Sequence, residues 1–284
     1  MRIGFIGAGR VGFTMGKYLK EHGVSISGYY SRNAEHAKEA ATFTDTSYYL
    51  DAFRLIDSCD AIILTVSDGA ISEVFSEIKS YAGLAGKIVC HTSGSLSSSV
   101  FADTECQVYG YSIHPIYAIS DRYTSYKEFS NAYFTIEGDE KYLDELTSIF
   151  SDTGLRISQM DSSEKSKYHA SCVMASNLVC GMYAAAIETL MECGFDKQVS
   201  ETMLKELFKA NALGIVDKGL VNQLTGPIDR NDISTVKTHL SKLEGDKKSL
   251  YIEASKQVLE IARVKNPDKD YTDMGNVLNI DKKL

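Results

Sequence analysis

Gly7, Ala8, Gly9, Arg10, Val11 and Gly12 form a GxGxxG run directly after the apolar segment Arg2–Ile6. In that context each glycine has its own role, since Gly7 permits a tight turn, Gly9 lets backbone approach a pyrophosphate, and Gly12 allows the following helix to pack closely. The free amides of that helix's first turn would attract the anion. The alternative is a chance glycine turn without a ligand. At the end of the second apolar segment, where a binder of NAD usually carries an acid for the ribose 2′-hydroxyl, the chain reads Tyr29-Tyr30-Ser31-Arg32-Asn33 with no acid. Ser31 and Asn33 can donate to a 2′-phosphate, and Arg32 can pair with it or stack on adenine, so NADP(H) is favoured over NAD(H). The alternative for Arg32 is a solvated turn charge.

Two further segments sit at the ends of apolar runs. Val66, Ser67 and Asp68 follow AIILT, where their backbone would line the nicotinamide half of a crevice. Asp68 itself reads as a helix N-cap rather than a catalytic acid. Thr92, Ser93, Gly94 and Ser95 follow KIVCH and offer hydroxyls on a flexible backbone, as an ordinary turn also would.

Moving a hydride onto a carbonyl or imine requires a proton donor, and His or Lys serves near neutral pH. His114 precedes Pro115, which restricts its backbone to extended geometry at a strand exit. A purely structural role remains open for it. His91 lies inside an apolar run and reads as a hydrogen-bonded core histidine, while His22, His36 and His239 fall on polar helix positions and read as solvated. His169 precedes Asn177 by eight residues, which on one continuous helix places them about 80° apart around the axis and two turns apart along it. Both could border one cleft. Asn177 could equally make an interhelical hydrogen bond, and Lys165 reads as a surface lysine. Thr225 and Arg230 could clamp a carboxylate, or belong to a plain turn before Asp232, which suits an N-cap.

Positioning these groups requires strands that alternate with helices. Periodicity predicts strands over 2–6, 25–30, 61–66, 87–92, 108–113, 132–137 and 155–159, with a brief one near 42–44. Helices are predicted over 11–21, 34–41, 71–81 and 140–151. Runs such as AIILTV have the length and composition of strands buried on both faces of a parallel sheet. The expected fold is α/β, a Rossmann-type doubly wound, mostly parallel sheet over residues 1–158. From residue 159 to 284 the period changes, and helices are predicted over 163–193, 197–218, 233–243 and 246–264. This half reads as an all-helical second domain. The stretch over 170–187 is apolar all round and should be buried on every side, its few polar members finding partners.

Composition bounds the rest. The 284 residues suggest two domains. Thirty Lys and Arg against 38 Asp and Glu leave a charge of −8, which disfavours nucleic acid as a partner. Hydrophobic residues at 44% and a mean hydropathy of −0.16 are globular values. Ser171, Ser176 and Asn177 interrupt the longest apolar stretch, so no membrane span is expected. Six cysteines without CxxC or zinc spacing suggest free thiols in a reducing cytoplasm, and no metal site is expected. No export signal is visible.

The stretches GFIGAGRVG, SIHP, YHASCVMASN and LTGPIDRND, spread over nearly the whole chain, resemble those of the short-subunit dehydrogenase-like oxidoreductases. That family joins a Rossmann-like N-terminal domain to a helical C-terminal domain of unknown function. More distantly the chain is similar to ketopantoate reductase, pyrroline-5-carboxylate reductase, prephenate dehydrogenase and 3-hydroxyisobutyrate dehydrogenase. The resemblance implies an NADP-dependent oxidoreductase acting on a small carbonyl, imine or hydroxy-acid substrate, and a homodimer formed through the helical domains. It implies His114 as acid or base, since prephenate dehydrogenases place a His-Pro step at the reacting hydroxyl. The His169 to Asn177 spacing resembles the Lys to Asn spacing of ketopantoate reductases, with His in place of Lys. Ser93-Gly94 resembles the serine-containing substrate loop of the hydroxyacid dehydrogenases, and Ser93 with Asn177 would orient substrate. A dinucleotide-binding sensor without turnover is the alternative, because binding and chemistry reside in different residues.

Overall fold

Eight strands make one sheet: β1 (Arg2–Ile6), β2 (Ser25–Tyr30), β3 (Ser47–Tyr49), β4 (Ala61–Leu64), β5 (Ile88–His91), β6 (Tyr109–Ile116), β7 (Tyr133–Gly138) and β8 (Arg156–Gln159). Their order is β3-β2-β1-β4-β5-β6-β7-β8, and every pair is parallel except β6 with β7. The chain begins at β1 and winds both ways from it, so the strand order reverses between β1 and β4. In an open parallel sheet that reversal leaves a crevice at the carboxyl ends of the strands. The computed structural model describes residues 1–102 and 106–279.

Helices α1 (Arg10–Glu21), α2 (Ala34–Thr44), α3 (Ala52–Ser58), α4 (Asp68–Ile78) and α5 (Leu143–Ser151) connect the strands. All four residues of β4 and of β5 are buried, as their apolar sequences demand of strands covered on both faces. Alternation sorts neighbours to opposite sides. Phe5 and Ile63 join one core with Phe13, Tyr111 and Phe134, while Ile6 and Ile62 join the other with Leu55, Ile71 and Phe75. Each such buried side chain contributes about 1.5–3 kcal/mol.

Two local expectations change. The brief strand near 42–44 is instead the last turn of α2, where the Thr44 hydroxyl donates to the Ala40 carbonyl at 2.8 Å. The helix stops at Asp45, which is left-handed at φ 54°, and β3 begins two residues later. The helix expected over 163–193 is interrupted: α6 (Lys165–Met174) ends, a turn follows at Ala175 and Ser176, and α7 (Asn177–Glu192) restarts the chain. Ser176 has φ −127° and ψ −85°, outside helical geometry.

Packing divides the chain into two units, Met1–Met174 and Ala175–Leu284. The first extends past residue 158 to take in α6, because Lys165 and Tyr168 on α6 hydrogen-bond to β6. The second contains α7, α8 (Lys197–Lys218), α9 (Leu220–Gln223), α10 (Ile233–Lys242), α11 (Gly245–Lys265) and α12 (Thr272–Val277). Its core of Val236, Leu259, Ala262, Tyr271 and Met274 is built on α10, α11 and the segment around α12. Asp232 caps α10 by accepting from the Thr235 amide at 3.1 Å, as its position predicts. Asp229 ties the preceding turn to α11 through Lys265 and Asn266, each at 3.0 Å. Among the described residues α7 has none buried, contrary to the expectation of burial on every side. Leu178, Met182 and Met191 are exposed, because the core of the unit lies on other helices. The segment 162–192 is apolar and long enough by composition to cross a membrane. The interruption at 175–176 leaves 16 residues in α7. That is about 24 Å of helix against a hydrocarbon core of roughly 30 Å.

Candidate functional site

The glycine run lies where β1 meets α1. Gly7 has φ +107°, and a Cβ there would come within 2.8 Å of the Thr65 carbonyl carbon, so glycine is required on both counts. Its amide donates to the Tyr30 carbonyl at 2.8 Å, and its carbonyl accepts from the Thr65 hydroxyl at 2.8 Å. The turn is thereby locked to the ends of β2 and β4. A Cβ on Gly12 would stand 2.6 Å from Thr65 Oγ1, which accounts for the close packing of α1 beneath the turn. Gly9 differs, since only the Thr65 carbonyl oxygen, at 3.8 Å, would meet its added carbon. No side chain caps α1 at Gly9, so its first-turn amides, including those of Arg10 and Val11, have no capping acceptor.

In front of this turn is a cavity of about 650 Å³, within the range of small-molecule sites. Gly7, Ala8, Gly9, Arg10, Ser31, Arg32, Val66 and Ser67 all line it. Of the other residues expected around a dinucleotide, Val11 and Gly12 lie behind the turn in α1. Asn33 spends its Oδ1 capping α2, accepting from the Glu35 amide at 3.0 Å. Thr92 follows β5, half-buried and off the cavity wall. The cavity has features that local motifs do not announce. His36 is exposed but lines it, and the segment Ser120 to Tyr123 after β6 forms part of its wall. Arg122 is pinned there between the rings of Phe13 and Tyr123, 4.9 Å from each centroid, and pairs with Glu39 at 2.9 Å. Asp121 shapes the turn by accepting from the Tyr123 and Thr124 amides at 2.8 Å. The residues present fit the phosphates of a dinucleotide: an open glycine turn, uncapped amides, and Arg10, Ser31 and Arg32 on the cavity wall.

A second polar cluster occupies the carboxyl edge of β4, β5 and β6. Asp68 is not the N-cap of α4, a place that Ser67 takes. Instead its carboxylate accepts from the hydroxyls of Ser93 at 2.8 Å and Ser95 at 2.9 Å. Ser93 is buried, and its oxygen also accepts from the amides of Ser95 and Leu96, so this hydroxyl builds the loop. His91 is fully buried, accepting from the Ser93 amide at Nδ1 and donating to the Ser97 carbonyl at Nε2. Burial pulls its pKa down to about 4, so it is the neutral core histidine the sequence suggested.

His114 and His169 come together within the first unit, their ring centroids 6.2 Å apart. Gly94 stands against both, for a Cβ on it would lie 2.8 Å from His114 Nε2 and 2.6 Å from His169 Cδ2. His114 Nδ1 is 2.6 Å from the Tyr168 hydroxyl. Burial, reinforced by Lys165 and His169, lowers His114 to about 4. Lys165 is no surface lysine: it is 2% exposed, with Nζ 2.5 Å from Ser112 Oγ. Burial lowers it to about 8, against the partial opposing pull of Glu137 and Asp68. The signal for Lys165 and Tyr168 was present as spacing. Lys165, Tyr168 and His169 share one helix face at i, i+3 and i+4, and Ser112 and His114 share one strand face at i and i+2. Asn177 opens α7 in the second unit, exposed, its Oδ1 accepting from Ser176 Oγ. The break at 175–176 removes the continuous helix on which its 80° relation to His169 rested. Thr225 and Arg230 are exposed on the turn before α10. Among the described residues no group of three His, Cys, Asp or Glu is placed to hold a metal ion.

Residues 1–115 match the Rossmann-like domain family, and residues 132–258 match a domain family of unknown function, DUF2520. The second match begins next to β7, so it spans the last two strands of the sheet as well as much of the helical unit. No curated protein matches the chain in sequence. Among solved structures it is similar to the protein TM1727 from Thermotoga maritima, with a TM-score of 0.75 at 24% identity over 93% of this chain and 99% of that one. BF3122 from Bacteroides fragilis, which carries the provisional name NADP oxidoreductase, aligns with a TM-score of 0.64 at 25% identity, covering 91% and 98%. The pyrroline carboxylate reductase of Plasmodium falciparum, solved with NADP bound, aligns with a TM-score of 0.56 at 15% identity, covering 93% and 96%. These likenesses extend over both parts of the chain and agree with a Rossmann-like domain followed by a helical one.

Proposed function

We propose that this protein is an NADP-dependent oxidoreductase that moves hydride between nicotinamide and a small carbonyl, imine or hydroxy-acid substrate. The observation that carries the reading is a line of contacts from the phosphate cavity to the imidazoles. Ser67 lines the cavity, Asp68 beside it holds Ser93 and Ser95, and Gly94 between them is placed so that a Cβ on it would meet both His114 and His169. Cofactor wall and proton-handling groups thus share one edge of one sheet. The pyrroline carboxylate reductase of similar fold holds NADP, which supports the cofactor assignment, as does the resemblance to short-subunit dehydrogenase-like oxidoreductases.

In this reading Gly7, Gly9 and Arg10 hold the pyrophosphate, while Ser31 and Arg32 meet the 2′-phosphate, with Asn33 Nδ2 and His36 beside them. When bound, the nicotinamide supplies or accepts the hydride. His114 donates a hydrogen bond to the substrate oxygen or nitrogen on which charge develops, and His169, half-buried, connects that point to solvent. Ser93 holds the loop that carries Gly94, and the resemblance to ketopantoate reductases assigns Asn177 to substrate. The same proposal includes a homodimer formed through the helical units. Leu178, Met182, Met203 and Leu207 are exposed apolar residues of α7 and α8 for which a second copy offers a matching face. A soluble protein in the cytoplasm suits the free thiols.

Calorimetric titration of the full chain with NADPH and NADH tests the cofactor assignment. NADPH should bind more tightly, and Arg32→Ala should weaken NADPH by about tenfold or more, the worth of a charge-assisted pair, while leaving NADH nearly unchanged. Equal losses for both nucleotides would reject the 2′-phosphate role. A screen of small keto acids, imines and hydroxy acids, with His114→Ala and His169→Ala as controls, tests turnover. Tight binding with no turnover throughout would leave a dinucleotide sensor.

A further inference from the structure

Helix α6 lies on β6 so that two contacts fall in register. Lys165 and Tyr168, one turn apart on the helix, reach Ser112 and His114, which share a face of the strand. The His114 ring is therefore gripped at Nδ1 by a phenol and flanked by a buried ammonium. Its other nitrogen faces Gly94, the position where any side chain would sit 2.8 Å from Nε2. Only the absence of a side chain at Gly94 makes room for this nitrogen and for His169 beside it.

We propose that Tyr168 is a positioning residue for His114: its hydroxyl donates to Nδ1 and fixes the imidazole as the Nε2–H tautomer, an uncharged hydrogen-bond donor on the side of the ring that faces Gly94 and His169. The proposal rests on the reading above that His114 meets the reacting atom, and adds which proton it presents and what holds it there.

The direction of the Tyr168 bond follows from acidity. A phenol is a far stronger donor than a neutral imidazole N–H, and an sp² imidazole nitrogen is a far stronger acceptor than a phenol oxygen, so the 2.6 Å contact is O–H to N. Tyr168 itself keeps its proton, since burial raises it to about 12. The imidazole stays neutral because the groups around it oppose a second positive charge. Lys165 and His169 on α6 and His91 on β5 disfavour protonation, Asp68 on α4 favours it weakly, and burial outweighs that carboxylate. Glu137 on β7 acts on Lys165 rather than on the ring, and Cys172 on α6 acts on Lys165 and on the Tyr168 hydroxyl, whose pKa it raises further. A neutral donor suits an oxygen that gains charge during the reaction, because the donor stabilises the oxyanion without first having to be charged in a dry pocket.

The test reads the tautomer directly and needs no nucleotide. The full chain, labelled with ¹⁵N-histidine, is examined by long-range ¹H–¹⁵N correlation at pH 7, with His114 assigned by loss of its signals in His114→Gln. Nδ1 of His114 should show the shift of an unprotonated ring nitrogen and Nε2 that of a protonated one. In Tyr168→Phe, which keeps the ring and its edge-to-face packing on His114, the two shifts should move toward each other as the tautomers mix. A protonated Nδ1 in the wild-type protein overturns the proposal, and so does an unchanged tautomer in Tyr168→Phe. The wild-type spectrum decides even if the variant folds poorly. Where turnover is found, Tyr168→Phe should lower kcat about tenfold or more with the nucleotide KM unchanged, and an unaltered kcat would overturn the positioning role. Absence of turnover would count against the oxidoreductase reading alone, leaving the tautomer measurement to stand or fall by itself.

Discussion

Replacing Lys165 by Met should make the protein more stable and less active at once. Lys165 titrates near 8 in the fold against 10.5 as a free side chain, a difference that corresponds to about 3 kcal/mol at about 1.36 kcal/mol per pKa unit. The sign follows from proton counting. Between pH 8 and 10.5 the unfolded chain carries a proton that the folded one has released, so native stability rises with pH through this window. Below pH 8 the full cost of burying the ammonium is present. Met keeps an unbranched chain of similar length and removes the charge, but forfeits the bond to Ser112 Oγ, worth about 1 kcal/mol. Ser112 still donates to the Ser93 carbonyl at 3.2 Å, so no donor is orphaned. The net expectation is a gain of about 2 kcal/mol at pH 7. Urea unfolding of both proteins from pH 7 to 10 checks it, and the gap should narrow as pH rises. A less stable Lys165→Met at pH 7, or a gap independent of pH, would refute the assignment of a costly buried cation. The loss of activity, if turnover is established, would place the lysine among residues kept for function at a cost in stability.

Acidification should destabilise the first unit between pH 6.5 and 4. His91 and His114 both lie near 4 in the fold, below the usual histidine value, so the unfolded state binds more protons in that window. Each histidine then removes up to about 3 kcal/mol of stability as pH falls to 4; a flat unfolding midpoint from pH 7 to 4.5 would contradict this. Gly7→Ala places a Cβ 2.8 Å from the Thr65 backbone at φ +107° and should cost at least about 1–3 kcal/mol, together with the loss of nucleotide binding by calorimetry. If the helical units pair as proposed, the wild-type chain should scatter light as a dimer and Met182→Glu on α7 as a monomer, with the thermal midpoint of the first unit unchanged. An undisturbed dimer would place the subunit contact elsewhere.

How far the sequence disclosed this architecture depends on how local each signal was. Strands such as AIIL and IVCH declare themselves through unbroken apolar runs, and the GxGxxG turn through glycine positions that the backbone of Thr65 enforces. These are nearest-neighbour effects. Arg122, by contrast, reaches the cavity wall only because its segment folds back onto Phe13 and Glu39, far away in the chain. Nothing near it in sequence marks it as different from any other loop arginine. Asp68 departs from its sequence reading for a related reason. Its place at a helix start suggests a cap, but Ser93 and Ser95, brought alongside by the adjacent strand, compete for its oxygens.

The break between α6 and α7 decides which residues can share a site by virtue of the first unit alone. Had residues 163–193 formed one helix, Lys165, His169 and Asn177 would have stood on a single rigid element, and their spacing would have fixed their relation. Ala175 and Ser176 remove that constraint, because a residue at φ −127° and ψ −85° resets the direction of the chain. What remains rests on contacts instead of periodicity. Ser112 and His114 on β6 face Lys165 and Tyr168 on α6, and Gly94 packs against His114 and His169. All six belong to the unit that contains the glycine turn. The cluster of His114, His169, Lys165 and Tyr168 is therefore built on the first unit alone. From this, substitutions in α8 to α12 should leave the His114 tautomer as it is, and a tautomer that followed them would refute the claim that β6 and α6 alone set it.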